Sequence, residues 1–323
     1  MKLRKMKKNR TNVLFIKAVF ILIMPALFLF AGCEPAVKAD NTTTVVCTVF
    51  PIYDWTKEIT KDCEDINVIL LEDDGTDMHS FQPAVKDLVD IEDCDVFIYI
   101  GGESEEWARE YSEKHPSSSR KDICLMDEIS GDILLENDEG IIVTEEEEEE
   151  AYDEHIWLSL KRSIKCADVI GSALKDKTSD PSKIESNLSS YEEKLSSLDK
   201  EYEEYFSGNQ RTLIIADRFP FRYLAEDYGF AYMAAFPGCS AESSISFVPV
   251  VELSEGLKNN NGNVVFITES GDMDLAETVI EQSGREANVV IIDSLQCVSL
   301  KKIEEGATYY SLMKSNLEAL KQE

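Results

Sequence analysis

Two rhythms of apolar residues alternate along the chain from residue 45 onward. Short runs of strand-type apolar residues, β-branched or aromatic, fall at 45–50, 66–70 and 96–100 in the first half, and at 212–216, 230–235, 264–268 and 289–292 in the second. Between them lie stretches with the 3.6-residue period of amphipathic helices: 54–61, 83–92, 219–228, 247–259, 272–282 and 303–321. Alternation of this kind predicts α/β architecture, with mainly parallel sheets covered by helices. Pro83 is expected in the first turn of its helix, where the missing N–H costs nothing.

The region 158–206 carries no strand signal. Pro181 is followed by Ile184, Leu188, Tyr191, Leu195, Leu198, Tyr202 and Tyr205, spaced by 3 and 4. That stripe predicts one helix of about 25 residues, roughly 37 Å long at 1.5 Å per residue, which is the width of a domain. The expected layout is therefore two lobes, 44–180 and 208–323, joined by one long rigid helix at 181–207.

The first 43 residues follow neither rhythm. Lys2, Arg4, Lys5, Lys7, Lys8, Arg10 and Lys17 precede an apolar run that ends at Ala31-Gly32-Cys33. This has the form of a secretory leader over 1–32, with the Ala-Gly-Cys box marking Cys33 for lipidation and 34–43 serving as a tether. Phe30 stands where such boxes usually carry a smaller aliphatic residue, and an uncleaved anchor is the alternative. Either arrangement places the rest outside the cytoplasm at a membrane surface. Because the leader holds seven basic and no acidic residues, the formal charge of −31 falls to −38 without it. A surface so acidic repels nucleic acid and anionic bilayers and attracts small cations.

Candidate chemistry is sparse. Eight cysteines occur and none is paired as C-x-x-C, which removes zinc-finger and thioredoxin readings. The seven beyond Cys33 read mostly as small packed hydrophobes or optional disulfide partners. Of three histidines, His115 lies in a polar loop sequence. His79 sits in Asp77-Met78-His79-Ser80-Phe81-Gln82-Pro83 and His155 in Tyr152-Asp153-Glu154-His155-Ile156-Trp157-Leu158, after the tract Glu145–Glu150. Imidazole beside carboxylate is ligand chemistry for divalent transition metals. The acidic loop 145–154 is either a solvated loop or a weak cation collector.

These segments, in order, resemble the zinc- and manganese-binding solute-binding lipoproteins of ABC transporters, the cluster A-I group. Thr48-Val49-Phe50-Pro51-Ile52-Tyr53-Asp54 is similar to that family's first strand and loop, and His79-Ser80-Phe81-Gln82-Pro83 to its first ligand loop. His155-Ile156-Trp157-Leu158 resembles its second ligand loop. Tyr223-Leu224-Ala225-Glu226-Asp227-Tyr228-Gly229 is similar to a second-lobe helix, and Ile292-Asp293-Ser294-Leu295 to the strand end carrying the last ligand. The resemblance implies a metal site between two lobes, with nitrogens from His79 and His155 and carboxylates from Asp293 and one further second-lobe residue.

At that further position the pattern breaks. Family members carry His or Glu five residues before the tyrosine matching Tyr223, and here Arg218 stands there. A guanidinium has no lone pair for a metal. Asp217, Glu242 or a water molecule could complete the set. The expected function is capture of Zn2+, with Mn2+ as alternative cargo, and delivery to an ABC permease and its ATPase, by a monomer without chemical transformation. A metal-dependent hydrolase and an adhesin that has lost its metal are the competing readings. The first lacks H-E-x-x-H and G-x-S-x-G signatures.

Overall fold

The structure is a computed structural model that describes residues 42–137, 139–142, 151–208, 211–239, 247–260 and 262–323. The leader 1–32, Cys33, the tract Glu145–Glu150 and Glu242 lie outside the described residues.

The compact unit Thr43–Glu323 holds two four-stranded sheets. In the first, β1 (Thr43–Cys47), β2 (Ile66–Leu70), β3 (Val96–Tyr99) and β4 (Lys121–Cys124) are ordered β2-β1-β3-β4, all parallel. The second repeats the scheme with β5 (Thr212–Phe219), β6 (Ala231–Pro237), β7 (Val264–Ile267) and β8 (Asn288–Ile291), ordered β6-β5-β7-β8 and again parallel. Parallel strands need crossover connections, and the helices making them bury both sheet faces, so all four residues of β3 and of β7 are buried. In such sheets the loops at the carboxyl ends of the strands gather around a common crevice.

Several elements differ from their sequence signals for identifiable reasons. Phe50 begins helix α1 (Phe50–Ile59) instead of ending β1, because Pro51 suits the first helical turn. Helix α2 (Val85–Asp93) starts beyond Pro83, with the Asp87 carboxylate accepting the Ala84 N–H at 2.7 Å. Strand β5 runs on through Phe219, so α3 (Arg222–Tyr228) opens later than the pattern predicts. The segment expected as one helix at 303–321 is two, Leu300–Glu304 and α4 (Tyr309–Leu320), with Gly306 between them at φ 101°.

The long helix spans Pro181–Phe206, and Ile184, Leu188, Tyr191, Leu195, Leu198, Tyr202 and Phe206 are its buried stripe. It is fastened at both ends. Asn187 donates to the Ile59 carbonyl at the end of α1 (3.0 Å), while Tyr202 and Tyr205 donate to the carbonyls of Met313 and Leu320 in α4 (2.6 and 2.7 Å). Helix α4 in turn packs on α1, with the rings of Trp55 and Tyr309 edge to face at 5.3 Å. One apolar core therefore runs through both sheets' inner faces, from Val45 and Phe97 to Leu213 and Phe266. A second, smaller core lies on the other face of the second sheet.

At this α1–α4 junction the buried Asp54 carboxylate accepts the Tyr309 N–H at 2.9 Å. Burial pushes its pKa up to about 7, against the lowering effect of that bond. A carboxyl whose folded pKa lies above the unfolded one stabilises fully below the unfolded pKa of 3.8, and the contribution is lost as pH rises to about 7. Asp54→Asn keeps the acceptor and cannot ionise. The variant should melt above the parent at pH 8, by up to a few kcal/mol at about 1.4 kcal/mol per pKa unit, with the gap closing by pH 4. Parallel melts at the two pH values check this.

Candidate metal centre

Four loops at the carboxyl ends of strands meet at one point. After β2 the chain makes a short turn, Met78–Ser80, in which Asp77 Oδ1 accepts the His79 N–H at 3.1 Å. After β3 it passes through Gly101 and Gly102 to Ser104. Gly102 has φ 84°, and a Cβ there would lie 2.4 Å from the Glu154 carboxylate, so glycine lets this loop wrap closely around Glu154. After β6 comes Gly238-Cys239, and after β8 comes Asp293-Ser294-Leu295-Gln296. His155 enters from the turn Ile156–Leu158, which it caps.

Both imidazoles are oriented by oxygen acceptors behind them. His155 Nδ1 donates to Asp153 Oδ1 at 2.8 Å, and the same oxygen accepts the His155 backbone N–H at 2.8 Å. His79 Nδ1 lies 2.6 Å from Ser104 Oγ and 3.2 Å from Glu154 Oε1, and the Ser104 hydroxyl itself donates to Glu154 Oε1. With its proton on Glu154, the Ser104 oxygen can only accept from His79. Each ring therefore carries its hydrogen on Nδ1 and presents a bare lone pair at Nε2. The two Nε2 atoms face each other at 3.3 Å.

Ordinarily two acceptors do not face each other in a buried site. Here the Gln296 amide resolves the conflict, with its Nε2 at 2.8 Å from both imidazole Nε2 atoms and one N–H for each. Its other end, Oε1, lies 3.0 Å from Ser294 Oγ. Leu295, at φ 62°, takes the left-handed turn that brings Gln296 inward, and the Asp293 carboxylate holds that turn by accepting the Leu295 N–H at 2.8 Å.

Charge is concentrated around the imidazoles. Burial opposes ionisation of His155, but Asp153 and Glu154 outweigh it and raise its pKa. Burial likewise opposes the charge on Glu154, and His79, His155 and Ser104 overcome it, so its pKa is lowered. Cys239 completes the constellation. Its thiol, 2.8 Å from Glu136 Oε1, and the two imidazoles offer donor atoms that all lie within 4.8 Å of one another. Burial, Glu154 and Glu136 hold the thiol pKa well above its ordinary value. A cavity of about 40 Å3 reaches His155 between Glu136, Asp153, Arg222 and Gly238.

Two carboxylates singled out in the sequence are engaged elsewhere. Asp217 Oδ2 accepts the Thr268 N–H and hydroxyl at 2.8 and 2.6 Å, and its Oδ1 accepts the Arg218 N–H. Besides holding Leu295, Asp293 faces Lys302 at 3.7 Å. Among the described residues, the metal-type donor gathered with His79 and His155 is Cys239, not Asp217 or Asp293. Arg218 reaches across to Asp77 at 2.6 Å, tying the end of β5 to the turn that carries His79. Cys239, Gln296 and Ser104 went unflagged by sequence reasoning. The one signal for them is position, each standing just beyond a strand's carboxyl end.

The chain is similar to known zinc-binding proteins. The chain is 33% identical over 303 residues to the zinc-binding lipoprotein AdcA of Streptococcus pneumoniae, covering 92% of itself but 58% of that relative. To the high-affinity zinc uptake system protein ZnuA of Bacillus subtilis it is 27% identical over 324 residues, covering 91% of itself and 96% of the relative. The Zn(II)-bound ZnuA-like domain of Streptococcus pneumoniae AdcA superposes with a TM-score of 0.69 at 30% identity, over 87% of this chain and 98% of that one. A family match runs from residue 45 to residue 323, the whole of the two-sheet unit but its first strand residues, and by it the chain belongs to the ZnuA family, zinc-uptake complex component A, periplasmic.

Proposed function

We propose that this chain is the extracytoplasmic solute-binding component of an ABC importer. It captures Zn2+ between its two sheets and hands it to a permease and ATPase, without chemical transformation. The observation that carries the reading is the pair of Nε2 lone pairs 3.3 Å apart, with each Nδ1 fixed on an oxygen acceptor. Two nitrogens at about 2.0–2.1 Å from one tetrahedral ion stand about 3.3 Å apart, and ligating histidines characteristically give their second N–H to a carboxylate or similar acceptor. The zinc for which those relatives are named supports the same cargo. Lipidation at Cys33 and function as a monomer belong to the same proposal.

The acidic surface suits the task, since it draws cations toward a narrow opening lined by Glu136 and Asp153. Protein stripped with a chelator should melt markedly higher on addition of zinc. Binding to the folded state alone adds about 4 kcal/mol when free zinc is 1,000 times Kd. A melting curve unmoved by zinc and by manganese would rule out the transport reading. A response to manganese alone would replace zinc as the cargo.

A further inference from the structure

We propose that the Cys239 thiolate is a direct ligand of the transported ion, supplying the donor that Arg218 cannot. This rests on the metal-capture reading and specifies its donor set. Three observations carry it. First, Sγ stands within 4.8 Å of a ligating nitrogen of each of His79 and His155, a gathering that Asp217 and Asp293 do not join. Around one tetrahedral ion a sulfur and a nitrogen lie about 3.6 Å apart, so closing the set takes a movement of about 1 Å.

Second, the turn is shaped for this approach. Gly238 precedes the cysteine, and a Cβ at that position would sit 2.8 Å from the Phe219 carbonyl oxygen and 3.1 Å from His155 Cε1. Only a residue without a side chain allows the Cys239 turn to lie against the imidazole. Third, the other described cysteines are placed differently. Cys47, Cys63, Cys94, Cys124 and Cys166 are buried as free thiols, and Cys297 lies apart from the imidazole cluster. Glu136 and Glu154, at 2.8 and 3.9 Å from Sγ, stand ready to take the proton that coordination expels.

Coordination forms a metal–sulfur bond and transfers the thiol proton to a carboxylate or to solvent, with no change of oxidation state. Two imidazoles and a thiolate make a soft donor set. It favours zinc over manganese by more than the general Irving–Williams preference, because manganese prefers oxygen donors. The site is in this way selective by ligand chemistry at a position where a carboxylate would admit the harder ion.

The test uses the full chain, stripped of metal, with zinc, manganese and cobalt as probes. Cys239→Ser should lose more than about 100-fold in zinc affinity by chelator competition, exceeding the ~10–100-fold typical of a group that only supports a ligand. The parent protein with cobalt should show thiolate-to-cobalt charge-transfer absorption, which Cys239→Ser abolishes while its metal-free melting temperature stays near the parent's. Cys239→Asp should narrow the zinc-to-manganese affinity ratio by at least about tenfold. Zinc affinity retained in Cys239→Ser, with a cobalt spectrum the same as the parent's, would overturn the ligand assignment while leaving metal capture intact. A parent protein that binds no metal would instead overturn the capture reading on which it rests.

Discussion

His155→Ala should abolish the zinc-induced rise in melting temperature, and His79→Ala should do the same. Each removes one of the two lone pairs that meet at 3.3 Å, and no other described imidazole is near enough to replace it. At zinc concentrations giving the parent about 4 kcal/mol of stabilisation, either variant should gain essentially none. The metal-free proteins should differ from one another. Removing the buried His155 leaves Asp153 without its ring partner, a loss on the order of 1–3 kcal/mol, whereas Glu154 keeps its bonds from Ser104 when His79 is removed. Denaturant melts with and without zinc separate the two effects. An undiminished zinc response in both variants would place the site elsewhere.

Gln296→Glu should produce the second large effect, and its sign should reverse with metal. In the stripped protein a carboxylate cannot supply the two N–H groups that now satisfy both imidazoles at 2.8 Å, so acceptors would face acceptors. A loss of about 1–3 kcal/mol is expected at pH 8, diminishing at lower pH as the His155 imidazole, whose pKa is raised, takes up a proton and pairs with the new charge. With zinc present the same carboxylate becomes an anionic oxygen donor, and affinity should rise at least about tenfold, because charge-assisted contacts are roughly twice as strong as neutral ones. Chelator competition reads the affinity, and metal-free melts read the stability. No change in either would mean the Gln296 amide does not cap the site in solution.

Much of the fold was legible because its signals are local. Pro181 and the 3- and 4-residue spacing from Ile184 to Tyr202 specify the long helix without reference to anything distant. Seven strand-type runs likewise announce seven of the eight strands. Strand β4 was not visible because Lys121 and Asp122 make half of its four residues charged, as an edge position permits. Helices Glu106–Lys114 and Leu160–Leu174 also escaped, the first being almost wholly polar with only Ala108 buried. At the site, His79 and His155 declared themselves by chemistry. Cys239 did not, since metal-binding cysteines are recognised by paired spacing and this one pairs with histidines 84 and 160 residues away in sequence. Gln296 is not a usual ligand type, and its meaning exists only where it touches both rings. Asp217 and Asp293 were plausible by type and place; Asp217 accepts from Thr268 beyond β7, and Asp293 holds its own turn.

The ion pair between Arg218 and Asp77 gives the molecule a latch that is fastened before cargo arrives. Half-buried on both sides, it joins the two lobes by chemistry independent of any metal, and the Gln296 bridge adds a second clasp beside it. On the proposed reading, a partner that must tell the empty chain from the filled one meets lobes that Arg218–Asp77 and Gln296 already hold together.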